Sequence, residues 1–392
     1  MKSLIIYSLL VLATAISCTS KKYKAGMILG DYSGEELSKI STDNLDDLTL
    51  EESGELSIYI DSLTRNPIIY PGYVDLNNSH YFYYFNEAIR ALDIYDLSTK
   101  QRIKHLLYPQ DGPFAVSSKS FPKIISMDSI FLFSRGNSTL ILTDTTSREK
   151  ARYPMTISGK DLNVNMVQTY NVFQNKAIIA YQPPFYDPQL KDTSNYVVVD
   201  LNTLLITKSL AKRPKSVTSF LMRGSDAMPR ICFGDNGDVI NFFGAGPLVI
   251  KSNISSPKVE YYILRSKLIP EPYKEPKNDG KNILEKNEFM SDTYFMMCYD
   301  KYNHYYYLMC TLAEDPVDSN GDLKTVDDEQ LSIIIADSLF RKRGEVLLPR
   351  NKYFRSMFVT KDGLMVSTAN PKNPNFKEDS LTYTLFKPVS IN

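Results

Sequence analysis

A chain of 392 residues with 43% apolar side chains is long enough to bury a large core, which excludes disorder throughout. Its 45 basic and 45 acidic residues cancel, so it lacks the basic excess that phosphate neutralisation demands of a nucleic-acid binder. The aromatic content is skewed, with 27 Tyr and 19 Phe but no Trp; many lie in short apolar runs bounded by Asn, Asp, Gly or Ser, which is strand chemistry.

Lys2 followed by the apolar run Leu4 to Ile16 predicts a signal peptide over 1–17, because 13 residues are too few to cross the hydrocarbon core as a helix. Ala15-Ile16-Ser17-Cys18 resembles the bacterial lipobox, which predicts lipid on Cys18 and a membrane contact made through acyl chains. Cleavage after Ala13-Thr14-Ala15 with soluble secretion is the competing expectation. Between Gly26 and Glu55 nine carboxylates stand against one lysine, Lys39, so 18–53 reads as an acidic spacer from which Leu45, Leu48 and Leu50 can dock on the body. The folded domain is expected over 54–392. With Cys18 lipidated, Cys232, Cys298 and Cys310 are an odd number without zinc-site spacing, and buried free thiols are expected.

From Glu55 onwards a turn followed by an apolar or aromatic strand recurs six times. The pairs are Asn77-Asn78-Ser79 before 81–85, Asp128-Ser129 before 130–133, Asn175-Lys176 before 177–181, Asp235-Asn236-Gly237 before 239–243, Tyr302-Asn303 before 305–310, and Asp362-Gly363 before 364–367. A second strand follows each, over 92–96, 140–144, 197–200, 248–251, 333–337 and 381–386. Four of these end in Asp, which favours a tight turn by bonding its own downstream backbone. Units too small to bury their own faces predict an all-β six-bladed β-propeller, with seven blades or an irregular β-sandwich assembly as alternatives. Residues 56–60 are expected to complete the last blade and close the ring. Two insertions interrupt the pattern: Pro270 to Asn287, rich in Pro, Lys and Glu, and Glu314 to Gln330, rich in acid.

Asp93-Ile94-Tyr95-Asp96-Leu97, Asp111-Gly112-Pro113 and Asp128-Ser129-Ile130-Phe131-Leu132 together resemble a family of Bacteroidota lipoproteins that share a domain of unknown function. The resemblance covers most of the chain, with its motifs in the first third, and implies a propeller-like fold and an envelope address but no reaction. Members of that family carry Glu-Gly-Pro-Asn-Gly where this chain has Asp111-Gly112-Pro113-Phe114-Ala115, so a polar role is not carried over to Phe114 and Ala115. The resemblance also implies that surface-exported lipoproteins carry acid after the Cys. Here Thr19, Ser20, Lys21 and Lys22 follow, favouring the periplasmic face of the outer membrane.

In a propeller the loops entering each inner strand share a face with the mid-blade loops, and ligands meet that face or the channel. This places Asp111, Gly112, Arg135, Asn137, Tyr186, Asp187, Arg213, Tyr353 and Arg355 on one rim as candidate ligand-binding residues; the plain alternative is that each is merely solvated. Asp318, Asn320, Asp322 and Glu329 have the spacing of a calcium loop, but Gly321 stands at the fourth position and Leu323 where the turn needs glycine, so an acidic surface insertion is the better reading. His80 and His304 follow equivalent turns in different units and so point apart, which argues against a shared metal. The basic stretch Lys208, Lys212, Arg213, Lys215, Arg223 and Arg230 is either a solvated linker or a surface for an anionic glycan or partner.

The expected function is a non-catalytic envelope lipoprotein that binds a glycan, peptide or envelope protein through its rim or channel, with no cofactor and no nucleic acid. The alternatives are a propeller hydrolase or lyase acting on carbohydrate, and a structural partner of a secretion or uptake system. An enzyme predicts carboxylates converging at the channel mouth; a binder predicts an aromatic or mixed polar surface there.

Overall fold

The computed structural model describes residues 44–157, 160–161, 170–180, 195–211, 229–244, 246–269, 292–314, 317, 319–322 and 324–391. These form six four-stranded antiparallel sheets and one two-stranded hairpin, Thr156–Ile157 with Lys160–Asp161. The first blade is Gly72–Leu76, Ser79–Asn86, Ala91–Asp96 and Gln101–Leu107; the second is Ser120–Ser126, Ser129–Ser134, Thr139–Thr143 and Glu149–Pro154. The third is Tyr170–Phe173, Lys176–Ala180, Tyr196–Asp200 and Ile206–Lys208; the fourth is Pro229–Phe233, Asp238–Phe243, Gly246–Asn253 and Ser256–Ile263. The fifth is Thr293–Asp300, Tyr305–Leu312, Gln330–Ala336 and Lys342–Leu347. The sixth takes Met357–Thr360, Gly363–Ser367 and Ser380–Ser390 from the chain's end and its outer strand, Leu48–Tyr59, from the beginning.

The core shows why the blades form a ring. No blade encloses its own hydrophobic interior; six apolar clusters instead fill the six seams between neighbours. Phe131, Phe133 and Leu140 of the second blade meet Tyr170, Ala177 and Ile179 of the third, while Ile240 and Phe242 of the fourth meet Tyr306 and Leu308 of the fifth. The seam between sixth and first blades packs Ile58, Phe358 and Tyr383 against Phe82, Tyr84 and Tyr95, and the remaining three seams are built alike. Each sheet face is therefore hidden only by the next blade, so the wheel must close to keep apolar surface from water. Seven blades and a sandwich are both set aside.

The twelve strands of the six recurring pairs are the second and third strands of their blades. These are buried on both faces, as in Ser129–Ser134 and Gln330–Ala336, and carry continuous apolar runs. Turn chemistry also holds: Asp96, Asp144, Asp200 and Asp337 accept hydrogen bonds from the backbone N–H of Ser98 (2.8 Å), Thr146 (2.9 Å), Asn202 (2.9 Å) and Leu339 (3.0 Å). Asn77 and Asn78 both adopt left-handed φ (51° and 64°), the conformation a two-residue hairpin turn requires.

The closing strand begins earlier than expected. It pairs from Leu48 opposite Ser390 to Tyr59 opposite Ser380, so the boundary expected at 54 falls inside it, at a bulge between Glu52 and Gly54. Leu48 and Leu50 dock in the seam between fifth and sixth blades, and Arg343 of the fifth holds Asp47 through a two-pronged ion pair of 2.7 and 2.6 Å. Acidic composition conceals this strand because its carboxylates Glu51, Glu52 and Glu55 all face solvent.

Strand direction defines two faces. Inner strands run downward, so the connections entering them and the mid-blade connections share the upper face. The tight turns and the start of the closing strand lie on the lower one.

Candidate functional site

Four side chains from three blades stack at the upper end of the channel. Arg230, on the fourth blade's inner strand, places its guanidinium 4.8 Å from the ring centroid of Phe295 on the fifth, and donates from Nη1 to the carbonyls of Tyr294 (2.7 Å) and Phe295 (2.6 Å). Phe295 meets Phe354 edge-on with centroids 4.9 Å apart, and Arg355 lies 4.8 Å over the Phe354 ring. Both cations thus sit on aromatic faces, which attract positive charge through the ring quadrupole. Arg230 is occupied with backbone carbonyls. Arg355 differs: its Nε is buried without a hydrogen-bond partner, and among the described residues its guanidinium makes no ion pair.

Tyr70 completes the group from the connection between sixth and first blades. Its N–H donates to the Arg355 carbonyl at 3.0 Å, and its φ of 59° is left-handed, a conformation a bulky residue adopts only when its surroundings enforce it. Burial pushes the Tyr70 phenol up, opposed by the charges of Arg355 and Arg230. Asp327 is the carboxyl of this neighbourhood, pushed up by burial and by Asp328 and drawn down by Lys372 and Arg355.

The lower end of the channel is built from different chemistry. Asp75 of the first blade accepts from His80 Nδ1 at 2.6 Å, from the hydroxyls of Tyr73 and Tyr302, and from Lys301 Nζ at 2.8 Å. Burial would raise this carboxyl, but the donors Lys301, Tyr302, Tyr73 and His80 overcome it and hold the group well below the ordinary range. His304 lies instead beside Tyr299 (3.0 Å) and Asp235 (3.6 Å), and His105 donates to the fully buried Asp93 at 2.6 Å. The three histidines serve three separate places. Cys232, Cys298 and Cys310 are free thiols; Cys298 and Cys310 lie on neighbouring strands but opposite Tyr307 and Tyr294, not each other.

Of the rim residues read from the sequence, Arg355 alone joins the stack. Asp111 and Gly112 are exposed on the loop entering the second blade, where Ala115 accepts a hydrogen bond from Asn137 at 3.4 Å; Arg135 begins the same mid-blade turn as Asn137. Tyr353 corrects an expectation. It is 7% exposed and packs, with Phe354 (5% exposed), in the seam between fifth and sixth blades, its N–H tied to Ser367 O (2.8 Å). Tyr186, Asp187, Arg213 and Asp318 lie outside the described residues, as do Cys18 and the whole of 1–43. In the acidic insertion Asn320 and Asp322 are exposed, while its neighbours are matched with cations: Glu314 with Lys324 (2.9 Å) and Arg350, Asp328 with Lys372 (2.5 Å). Among the described residues no three His, Cys, Asp or Glu side chains gather as a metal site. The basic stretch did contain one site residue, Arg230. Tyr70, Phe295 and Phe354 carried no local signal, since ring geometry alone unites them.

These features define a six-bladed propeller with an arginine–aromatic upper mouth. Residues 47–345 match a family described as a domain of unknown function, DUF4221, and the chain belongs to that family, in keeping with the motifs between Asp93 and Leu132. A DUF4221 protein of Bacteroides vulgatus ATCC 8482 superposes with a TM-score of 0.73 at 17% identity, covering 88% of this chain and 100% of its own. A protein of Bacteroides fragilis NCTC 9343, named as a candidate exported protein, superposes at 0.52 with 11% identity, covering 89% and 98%. No curated protein matches the chain. Among the described residues no helix is long and apolar enough to cross a membrane.

Proposed function

We propose that this protein is a non-catalytic lipoprotein of the cell envelope, anchored through Cys18, that binds a glycan, peptide or envelope protein at the upper mouth of its propeller. The observation that carries this reading is Arg355: a cation laid on an aromatic face, with a buried unpartnered Nε, beside a Tyr70 held in a strained backbone conformation. Planar guanidinium groups on aromatic platforms suit recognition, because the donors are fixed before the ligand arrives. The topology supports the same arrangement. The closing strand enters from the lower face, so the residues before Asn44 join the body on the side opposite the mouth.

Capture from detergent-solubilised membranes tests the reading. Wild-type protein is expected to retain a partner or glycan that Arg355→Glu loses, with both proteins melting within a few degrees of each other. Equal capture by the two would contradict it. A hydrolase or lyase is the second reading, drawing on the raised carboxyl of Asp327 near Arg355 and Tyr353 as a candidate acid. Turnover of a carbohydrate that Asp327→Asn abolishes would establish it.

A further inference from the structure

A cleft of about 280 Å³ opens on the outer flank of the wheel, between the third and fourth blades and away from both ends of the channel. One wall is the face of the third blade's two outermost strands, from Tyr196 and Val198 to Thr207, continued by Ser209 and Leu210. The other is the outer turn of the fourth blade and the start of its last strand, over 252–259.

Hydroxyls line the cleft from both sides. Ser252 Oγ donates to the Val239 carbonyl (3.3 Å), so it accepts from the hydroxyl of Tyr196 (2.8 Å), a side chain only 3% exposed, and the two blades are tied at the floor. Ser209 donates in the same way to the Ala211 carbonyl at 3.1 Å. A hydroxyl has one donor and two lone pairs, so these oxygens keep acceptor capacity after their own bonds are made. Thr207 and Ser255 add exposed hydroxyls, one on each wall. The turn of the fourth blade is pinned: Asn253 Nδ2 donates to the Asn236 carbonyl (2.9 Å) and to Asp238 (2.8 Å), while its Oδ1 accepts from the Ser255 N–H (2.8 Å). The walls are therefore ordered before a ligand arrives, which lowers the cost of binding.

Two further properties narrow the ligand class. Lys258, the one ionised side chain among the described lining residues, is already paired with Glu260 at 2.7 Å, so a charged ligand finds no unpaired opposite charge on the lining. Val198, Ile254 and Val259 supply apolar patches between the hydroxyls. We propose that this cleft is a second binding site and that it takes a single neutral sugar ring. Sugar hydroxyls donate and accept as the lining does, and the C–H faces of the ring match the apolar patches. The volume lies just under the roughly 300–1,000 Å³ of pockets for drug-sized ligands, which suits one ring. The site shares no residue with the upper mouth and does not rest on the mouth's reading.

Methyl NMR spectra of the isotope-labelled protein test this, with glucose, galactose, mannose and N-acetylglucosamine as probes and cyclohexanol as a ring with a single hydroxyl. At least one sugar is expected to shift the methyl signals of Val198, Ile254 and Val259 saturably, and more strongly than cyclohexanol does. Ser256→Trp on one wall and Thr207→Trp on the other, both at exposed positions, are each expected to weaken that binding about tenfold or more while melting close to wild type. Arg355→Glu should leave it unchanged. Sugars that leave these methyls unmoved, cyclohexanol binding as well as any sugar, undiminished binding by both wall variants, or loss of binding with Arg355→Glu would each overturn the proposal.

Discussion

Single residues set the local tolerances of this propeller, and two glycines show how differently the same substitution acts. A Cβ on Gly363 would sit 2.4 Å from the Phe386 carbonyl oxygen, at a φ of 141° that side chains rarely adopt. Backbone must move there. Gly112 has a left-handed φ of 84° but open space around it. Gly363→Ala is therefore expected to cost roughly 2–4 kcal/mol, combining overpacking with backbone strain, and Gly112→Ala only about 1 kcal/mol. Denaturant titration of the two variants checks the order; equal losses would show that the Gly363 turn relaxes freely. Arg355 is the opposite kind of residue, since its substitution should alter binding with little effect on folding.

At the scale of elements, the Asp75 bridge predicts a pH dependence. Its carboxyl titrates in the folded state well below its ordinary 3.8, so the bridge contributes full stability above that ordinary value. The contribution is lost as pH falls below it toward the lowered folded value. Asp75→Asn should consequently flatten the stability profile below about pH 4 while leaving its slope near neutrality unchanged. Unfolding measured across that range decides the matter, and an unaltered acid limb would mean that the bridge is not formed.

What the sequence disclosed also divides by element. Second and third strands were legible because both their faces are buried. Outer strands such as Gln101–Leu107 are mostly exposed, so they carry no periodic apolar signal and escaped notice. The closing strand was half legible: 56–60 reads as a strand, but Glu51 and Glu52 made its first half look like spacer. The site was less visible still. Arg230, Phe295 and Phe354 stand far apart in sequence and each is unremarkable alone, and Tyr353 and Phe354, the two residues before Arg355, both pack in the seam between fifth and sixth blades. Only inter-blade contacts bring the candidate group together.

The whole molecule sorts its connections onto two faces with different tasks. Short Asx-stabilised turns, the Asp75 bridge and the entry of the closing strand occupy the lower face. Several described connections of the upper face are longer, among them 60–71, 108–119, 348–356 and 368–379. The first described residues join the body on the lower face, opposite the arginine–aromatic mouth. The most direct measurement is photo-crosslinking in living cells with a reactive amino acid placed at Arg65, exposed on the upper connection between sixth and first blades, or at Leu205, 69% exposed on a lower turn of the third. Adducts are predicted at position 65 and not at 205, and they should disappear when Arg355→Glu is added. Adducts at 205 alone, or at 65 irrespective of residue 355, would contradict the assignment of the upper mouth as the binding site.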